Sequence, residues 1–382
     1  DLKVYEPRSL AFQGGVAHYD GSMDAKIKLG IAATIIIAVL ISSIYYLNSV
    51  QSQGVRSNTP SSKITQSSTV LRIGYFPNVT HAQAVIGLNN GYFQKALGDD
   101  VKIEPQLFNA GPSAIEALFA NKIDITYVGP NPAINGYIQS KGEALRVIAG
   151  AVSGGSVFVV RSDSGINSTK DLAGKKFATP QLGNTQDVML RKFILSNGLS
   201  WREKGGDITI IPAKNPDIVT LMVKKEIDGA WVPEPWGAKL VKEADAKIFI
   251  DERDLWPNGK FITTLVVVNT KFLKEYPDVV ERFLKAHVEI TEWINKNREE
   301  ALKTLKEQIE KLTGQRFHED ELSDALSRVE FTYDPIAYSL RKDAEYAYEL
   351  GFIESKPDLS NIFDLTILNK VLQEKGLPKV SA

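Results

Sequence analysis

From residue 70 onward, short β-branched strand signals alternate with helical stretches, and this alternation restricts the fold more than any other feature of the sequence. The strand candidates VLRIGYF (70–76), VKIEPQLF (101–108), IDITYVG (123–129) and LRVIAGAV (145–152) are separated by helical segments opening at Thr80, Gly111 and Pro132. Gly91 sits where a helix C-terminal cap belongs. Strands joined by helices pair in parallel, so this set predicts a mostly parallel sheet with helices on its faces. The pattern then starts again. SVFVVR (156–161), KKFATP (175–180), DITIIP (207–212) and DGAWV (228–232) alternate with helices beginning near Ser168, Asn184, Pro216 and Pro233. Two such sets imply an α/β protein with two lobes. After FITTLVVV (261–268) the chain turns helical: Pro277 leads a helix whose apolar stripe includes Val280, Phe283, Leu284, Ile290 and Ile294, and residues 298–312 repeat its period. Asp334 and Pro335 read as an N-cap and a first-turn proline, with Gly351 ending that helix. These are packing helices, and His287 on the apolar stripe reads as a buried structural histidine.

The N-terminal stretch has a different character. Ile31 to Leu47 is uncharged and preceded by Lys26 and Lys28, about the length of the ~17 to 25 residues that a membrane-spanning helix needs. A basic flank before an apolar run places the N-terminal side in the cytoplasm and exports the remainder of the chain, so residues 23–50 read as a signal or transmembrane anchor. No A-x-A cleavage site comes after it, and Tyr45-Tyr46 suits a membrane interface, which favours retention over cleavage. Residues 1–22 precede Met23 and read as an upstream extension, while residues 51–69, rich in Ser, Thr and Gln, read as a flexible linker. Asn78-Val-Thr and Asn167-Ser-Thr fit the glycosylation pattern, a short one that recurs by chance.

Composition removes several functions. With 382 residues, 43% hydrophobic and 24% charged, the chain is long enough for two or more domains. A formal net charge of -1, without a basic run, gives no electrostatic footprint for nucleic acid. Cysteine is absent, which excludes disulfides, thiolate metal sites, nucleophilic thiols and a lipid-bearing cysteine. The four histidines, His18, His81, His287 and His318, show no metal-ligand spacing. No metal, cofactor or catalytic residue is therefore expected, and no nucleophile, base and orienter stand together.

Four stretches carry a resemblance to a known family: GYFPNVTHAQAVIGLNNGYFQ (74–94), FNAGPSAIEALFANKIDITYVGPNPAINGY (108–137), AGAVSGGSVFVVRSDSGINSTKDLAGKKFATPQLGNTQDVMLRKF (149–193) and DGAWVPEPW (228–236). In this order they resemble the aliphatic sulfonate, taurine and nitrate binding proteins of ABC importers, in register from Val70 to beyond Trp236 and more loosely to the C-terminus. Pieces such as DLAGKK are common among type II periplasmic binding proteins; their combination with VPEPW narrows the choice. The resemblance implies a Venus-flytrap fold, with lobe one from 70–153 and 263–382, lobe two from 154–262, and hinge crossings at Ser153–Val157 and Lys260–Thr264. Gly154-Gly155 independently suits a hinge. It further implies an extracytoplasmic, monomeric solute-binding subunit that passes a small-molecule ligand to an ABC permease with its cytoplasmic ATPase.

Ligands of open α/β sheets lie beyond the carboxyl ends of strands, where helix N-termini point. Four motifs hold that position: Asn78–His81, Gly129–Asn131, Gly183–Gln186 and Glu234–Trp236. Free N–H groups and helix dipoles there favour an anion. The candidate ligand-binding residues are Thr80, His81, Gly129, Asn131, Ser153, Gly155, Gly183, Asn184, Thr185, Glu234 and Trp236. Each has a plainer reading. Thr80, Asn131 and Thr185 serve equally as helix caps, the glycines as turn residues, His81 as a solvated or structural ring, Trp236 as core and Glu234 as a surface or hinge carboxylate. A carboxylate at Glu234 would repel a bare anion but would pair with an ammonium, so an aliphatic sulfonate or taurine-like solute ranks first. Nitrate, bicarbonate and a thiamine-pyrimidine precursor stacked on Trp236 are alternatives for the same role. An enzyme on the same fold, of the thiamine-pyrimidine or menaquinone pathway, is the rival class; the thiamine-pyrimidine synthases carry a cysteine-rich motif that this chain lacks. A sensor module would continue into a second membrane segment, and no such segment occurs after Val70.

Overall fold

The computed structural model describes residues 69–382; the apolar run at 31–47, and with it the anchor and most of the linker, lies outside the described residues. The chain enters through β1 (Thr69–Tyr75), α1 (Ala82–Asn89), α2 (Tyr92–Leu97), β2 (Val101–Leu107), α3 (Gly111–Phe119), β3 (Ile125–Val128), α4 (Pro130–Gln139) and β4 (Leu145–Gly154). A second series is β5 (Ser156–Arg161), β6 (Lys176–Thr179), α5 (Thr185–Ser196), β7 (Thr209–Pro212), α6 (Asn215–Val223), β8 (Gly229–Pro233), α7 (Trp236–Glu243) and β9 (Ala246–Asp251). The remainder is β10 (Ile262–Asn269), α8 (Thr270–Glu275), α9 (Pro277–Lys296), α10 (Arg298–Thr313), α11 (Glu319–Ser327), β11 (Val329–Phe331), α12 (Ala337–Glu349) and α13 (Thr366–Glu374).

Local chemistry explains most of these boundaries. β3, β5, β8 and β10 are buried along their whole length, as Val- and Ile-rich strands covered on both faces must be. α4 and α9 open on Pro130 and Pro277, whose missing N–H would have had no helical partner. Asn184 caps α5 by accepting the Asp187 N–H at 3.0 Å, and Gly91, left-handed at φ 71°, separates α1 from α2. The expected Asp334 cap is displaced. Its carboxylate accepts the Ile336 N–H at 2.8 Å in a turn, Ile336 is left-handed at φ 46°, and α12 starts only after it.

The strands form a six-stranded sheet, ordered β11-β4-β10-β3-β1-β2, and a five-stranded sheet, ordered β7-β6-β8-β5-β9. The α/β two-sheet architecture is the one expected: most strands of each sheet run one way, and each sheet is mixed only through opposed strands, β10 and β11 in the first and β5 in the second. β1 runs parallel to β2 and β3, and β6 to β7 and β8, whereas β10, β11, β5 and β9 pair antiparallel. The reason lies in the crossings. β4 carries the chain out of the first sheet, and β10 returns it between β3 and β4, so it must run against both.

The crossings lie side by side, with Ile262 of β10 paired to Ser153 of β4. Gly154 and Gly155, at φ 76° and 73°, make the outward turn. A Cβ on Gly154 would stand 2.4 Å from the Arg328 carbonyl oxygen, and one on Gly155 2.4 Å from Val329 Cγ1, so both positions require glycine. The late helices reach both sheets. Leu350 and Tyr346 pack into the core around Phe158 and Trp231 of the second sheet, and Lys192 on α5 pairs with Glu349 on α12. Asp320 on α11 pairs with Lys242 on α7 at 2.6 Å. His287 is fully buried on α9. Its Nε2 lies 2.8 Å from the Gly150 carbonyl and its Nδ1 2.8 Å from the Tyr127 hydroxyl, so Nε2 donates and Nδ1 accepts. Burial pushes its pKa down to about 4. No helix among the described residues is long and apolar enough to cross a membrane.

Candidate ligand-binding site

Five segments that come after strand ends converge on one cavity between the sheets: Asn78–His81 after β1, Asn109–Gly111 after β2, Gly129 after β3, Pro180–Gln186 after β6 and Asn215 after β7. Phe76, Pro132, Pro233, Thr263 and Thr264 complete the wall. The cavity is small, about 30 Å³, against the ~10 to 15 Å³ that one water needs. It suits a compact head group, not an extended solute.

Of the candidates named from sequence, Thr80, His81, Gly129, Asn184 and Thr185 stand on this wall. Asn131 is buried beside it, its Nδ2 donating to the Asp343 carbonyl at 3.3 Å while its Oδ1 has no partner. Ser153 and Gly155 belong to the outward crossing, and Gly183, at φ 76°, makes the turn before α5 and donates its N–H to Asp187 at 3.0 Å. Glu234 and Trp236 require a correction, because neither is on the wall. Glu234 is fully buried; its Oε1 accepts from Arg328 Nη1 at 3.0 Å and its Oε2 from the Ala238 N–H at 3.0 Å. Burial pushes its pKa up to about 7 against the opposing pull of Arg328. Trp236 packs edge-on against Phe317 at 5.6 Å and donates its indole N–H to Asn78 Oδ1 at 2.8 Å. Neither offers a free group to a ligand, so the pairing of Glu234 with a ligand ammonium has no geometric basis.

Among the polar wall residues, Asn109 and Asn215 were not singled out from sequence, and Thr263 and Thr264 were named only as part of the Lys260–Thr264 crossing. The first two obey the same strand-end rule as the others. Thr264 lies inside the returning strand β10, where no local signal marks it.

Among the described residues, the wall contains no Lys, Arg, Asp or Glu. Its polarity comes from neutral groups. Thr185 Oγ1, Thr264 Oγ1 and Asn215 Oδ1 are buried without any hydrogen-bond partner among the described residues, each a burden of about 1 to 3 kcal/mol unless something else bonds it. His81 stacks on Phe76 at a centroid distance of 4.2 Å, and its Nδ1 accepts the Phe76 N–H at 3.3 Å, which leaves the ring proton on Nε2. Burial pushes the His81 pKa down to about 3, so the ring is neutral near pH 7. The sheets approach closely here: a Cβ on Gly129 would lie 2.2 Å from Thr185 Oγ1.

The profile of the NMT1-like family matches residues 65–306, more than half of the sequence. The chain belongs to the NMT1-like family. This NMT1-like protein is 27% identical over 295 residues to a Bacillus subtilis (strain 168) protein provisionally named an aliphatic sulfonates-binding protein, covering 76% of this chain and 85% of the relative. It is 26% identical over 182 residues to the taurine-binding periplasmic protein of Escherichia coli (strain K12), covering 48% of this chain and 54% of the relative. Among solved structures, the alkanesulfonate-binding protein SsuA of Xanthomonas axonopodis pv. citri, bound to MOPS, superposes with a TM-score of 0.65 at 19% identity, over 78% of this chain and 98% of that one. The periplasmic nitrate-binding protein NrtA of Synechocystis PCC 6803 gives 0.66 at 15% identity, over 81% and 90%. At such identities the two structures establish the periplasmic-binding-protein fold. The named relatives are binding proteins rather than enzymes.

Proposed function

We propose that this NMT1-like protein is the extracytoplasmic solute-binding subunit of an ABC importer, capturing a small oxyanion between its two lobes and releasing it to a permease driven by a cytoplasmic ATPase. The observation that carries this reading is the pair of unpartnered buried hydroxyls, Thr185 Oγ1 and Thr264 Oγ1, on the wall of one cavity at five strand ends. Hydroxyls, free helix N–H groups and the His81 Nε2–H suit a ligand that only accepts hydrogen bonds. Charge on the protein is not required, since helix N-termini favour negative charge by themselves. An aliphatic sulfonate fits this chemistry and agrees with the names of the relatives. Taurine fits less well, because no carboxylate on the wall would hold its ammonium. Nitrate is the second reading, favoured by the small volume of about 30 Å³. The anchor at residues 23–50, the linker at 51–69 and a monomeric state are parts of the same proposal.

The test is a thermal-shift and calorimetric screen of methanesulfonate, longer alkanesulfonates, taurine, nitrate, bicarbonate and pyrimidines, since a ligand that binds only the folded state raises its stability. A response to sulfonates or nitrate, reduced in a Thr185→Val, Thr264→Val double variant, is expected. A response to pyrimidines alone, or to none of these, would refute the reading.

A further inference from the structure

We propose that Trp236 is a positioning residue for the ligand site, fixing which end of the Asn78 amide faces the solute without touching the solute itself; this rests on the cavity being that site. The indole nitrogen of tryptophan can only donate. The Asn78 atom 2.8 Å from Trp236 Nε1 is therefore the amide oxygen, and the NH2 group is the end left over. Asn78 stands on the cavity wall, and its Nδ2 has no partner among the described residues. A rotation of that amide by half a turn would replace a donor with an acceptor at almost no steric cost, and would set an oxygen against an oxyanion. The bond to Trp236 forbids it.

Trp236 is itself held in place. It is 1% exposed and packs against Phe317. Two residues earlier, the Glu234 carbonyl accepts the Val79 N–H at 3.1 Å, and the Glu234 carboxylate is bonded to Arg328 and to the Ala238 N–H. Two hydrogen bonds thus join the start of α7, on the second sheet, to adjacent residues Asn78 and Val79 after β1, on the first. His81 obeys the same logic: the Phe76 N–H takes up Nδ1, so the proton stays on Nε2. The amide of Asn78 and the imidazole of His81 are thus each forced to present a donor.

The experiment titrates the full chain with methanesulfonate and with nitrate in a double-mutant cycle of Trp236→Phe and Asn78→Ala. Trp236→Phe keeps an aromatic ring against Phe317 and removes the N–H together with part of the buried indole, so its unfolding midpoint is measured beside its affinity. It should weaken binding about three- to tenfold, the loss expected for one hydrogen bond. In the Asn78→Ala background the same change should cost less than about twofold, because its route of action is gone. A second variant is Asn78→Asp, which keeps an acceptor for Trp236 but turns a second oxygen toward the solute; with its unfolding midpoint measured beside it, it should bind more weakly than Asn78→Ala. Undiminished binding by Trp236→Phe, equal losses in both backgrounds, or binding by Asn78→Asp at least as tight as by Asn78→Ala would overturn the positioning role. If the unaltered protein binds neither probe, the reading of the cavity fails, and this role fails with it.

Discussion

Gly129→Ala separates closure of the lobes from folding of the lobes. Gly129 has φ -69° and ψ 160°, a conformation open to any residue, so alanine there carries no backbone strain. What the methyl group meets is the other sheet: Thr185 Oγ1 at 2.2 Å and Thr185 Cβ at 3.3 Å, with the Thr263 carbonyl oxygen at 3.6 Å. Ordinary carbon contacts begin near ~3.5 Å, so the lobes must part by more than an ångström or Thr185 must leave its rotamer. The second route costs about 0.5 to 1.5 kcal/mol and overpacking in general about 1 to 3 kcal/mol. A closed state weakened by about 1 to 3 kcal/mol lowers affinity about 5- to 150-fold, and the unfolding midpoint should move little because the added methyl group strikes Thr185 and no residue of the buried apolar clusters. Calorimetric titration with methanesulfonate gives the affinity, thermal unfolding the stability, and small-angle scattering the separation of the lobes. Adding Thr185→Ala should restore the compact scattering profile by removing the struck oxygen. Wild-type affinity and an unchanged profile in Gly129→Ala would refute the argument that these lobes close on each other at Gly129 and Thr185.

Arg328→Ala strands a fully buried carboxylate with only the Ala238 N–H for company. Breaking such a pair costs about 3 to 5 kcal/mol; urea unfolding should show most of that above neutral pH and less below it, where Glu234, pushed up to about 7, takes a proton. Equal midpoints for variant and parent at alkaline pH would contradict this. His81 and His287 set an acid limit: burial lowers their pKa values from 6.5 to about 3 and about 4, so below pH 6.5 the unfolded chain binds protons that the folded chain refuses. Stability therefore falls as pH drops, by up to ~1.4 kcal/mol per pH unit for each histidine. Glu234 and Glu252, both pushed up to about 7 by burial, act the other way between about 7 and their unfolded value of 4.5. Between about pH 4.5 and 6.5 the two histidines and the two glutamates nearly offset one another, so the parent's urea midpoint should stay nearly level there while that of His287→Gln rises as pH drops, and identical slopes would remove His287 from the explanation.

How far each interaction reaches along the chain decides whether it could be read in the sequence. Caps and strand ends are local, so Gly91, Asn184 and Pro277 stand close to their expected roles, the helix expected at Pro132 opens two residues earlier at Pro130, and the segments at 78–81, 129 and 184–186 meet at one cavity. Asn109 and Asn215 obey the same rule and were legible in principle. Glu234 was not, because its environment is set by Arg328, which lies 94 residues further along the chain. The opposed direction of β10 was not legible for a similar reason. The antiparallel pairing of β10 depends on its insertion between β3 and β4, a fact of threading and not of pattern. β9, whose side chains are mostly half-buried, and the three-residue β11 lack the apolar continuity that announces a strand.

The insertion of β10 also governs the order in which the molecule can be assembled. The second sheet is drawn from the uninterrupted stretch between Ser156 and Asp251, whereas β3 and β4 are strangers until Ile262–Asn269 arrives to bridge them. On a chain emerging from its N-terminus, the sheet that is complete last is thus the one that begins first. Until then the inner edges of β3 and β4 are open hydrogen-bonding borders of the kind that invite wrong partners. The vulnerable interval for a nascent chain therefore runs from the appearance of β3 to that of β10.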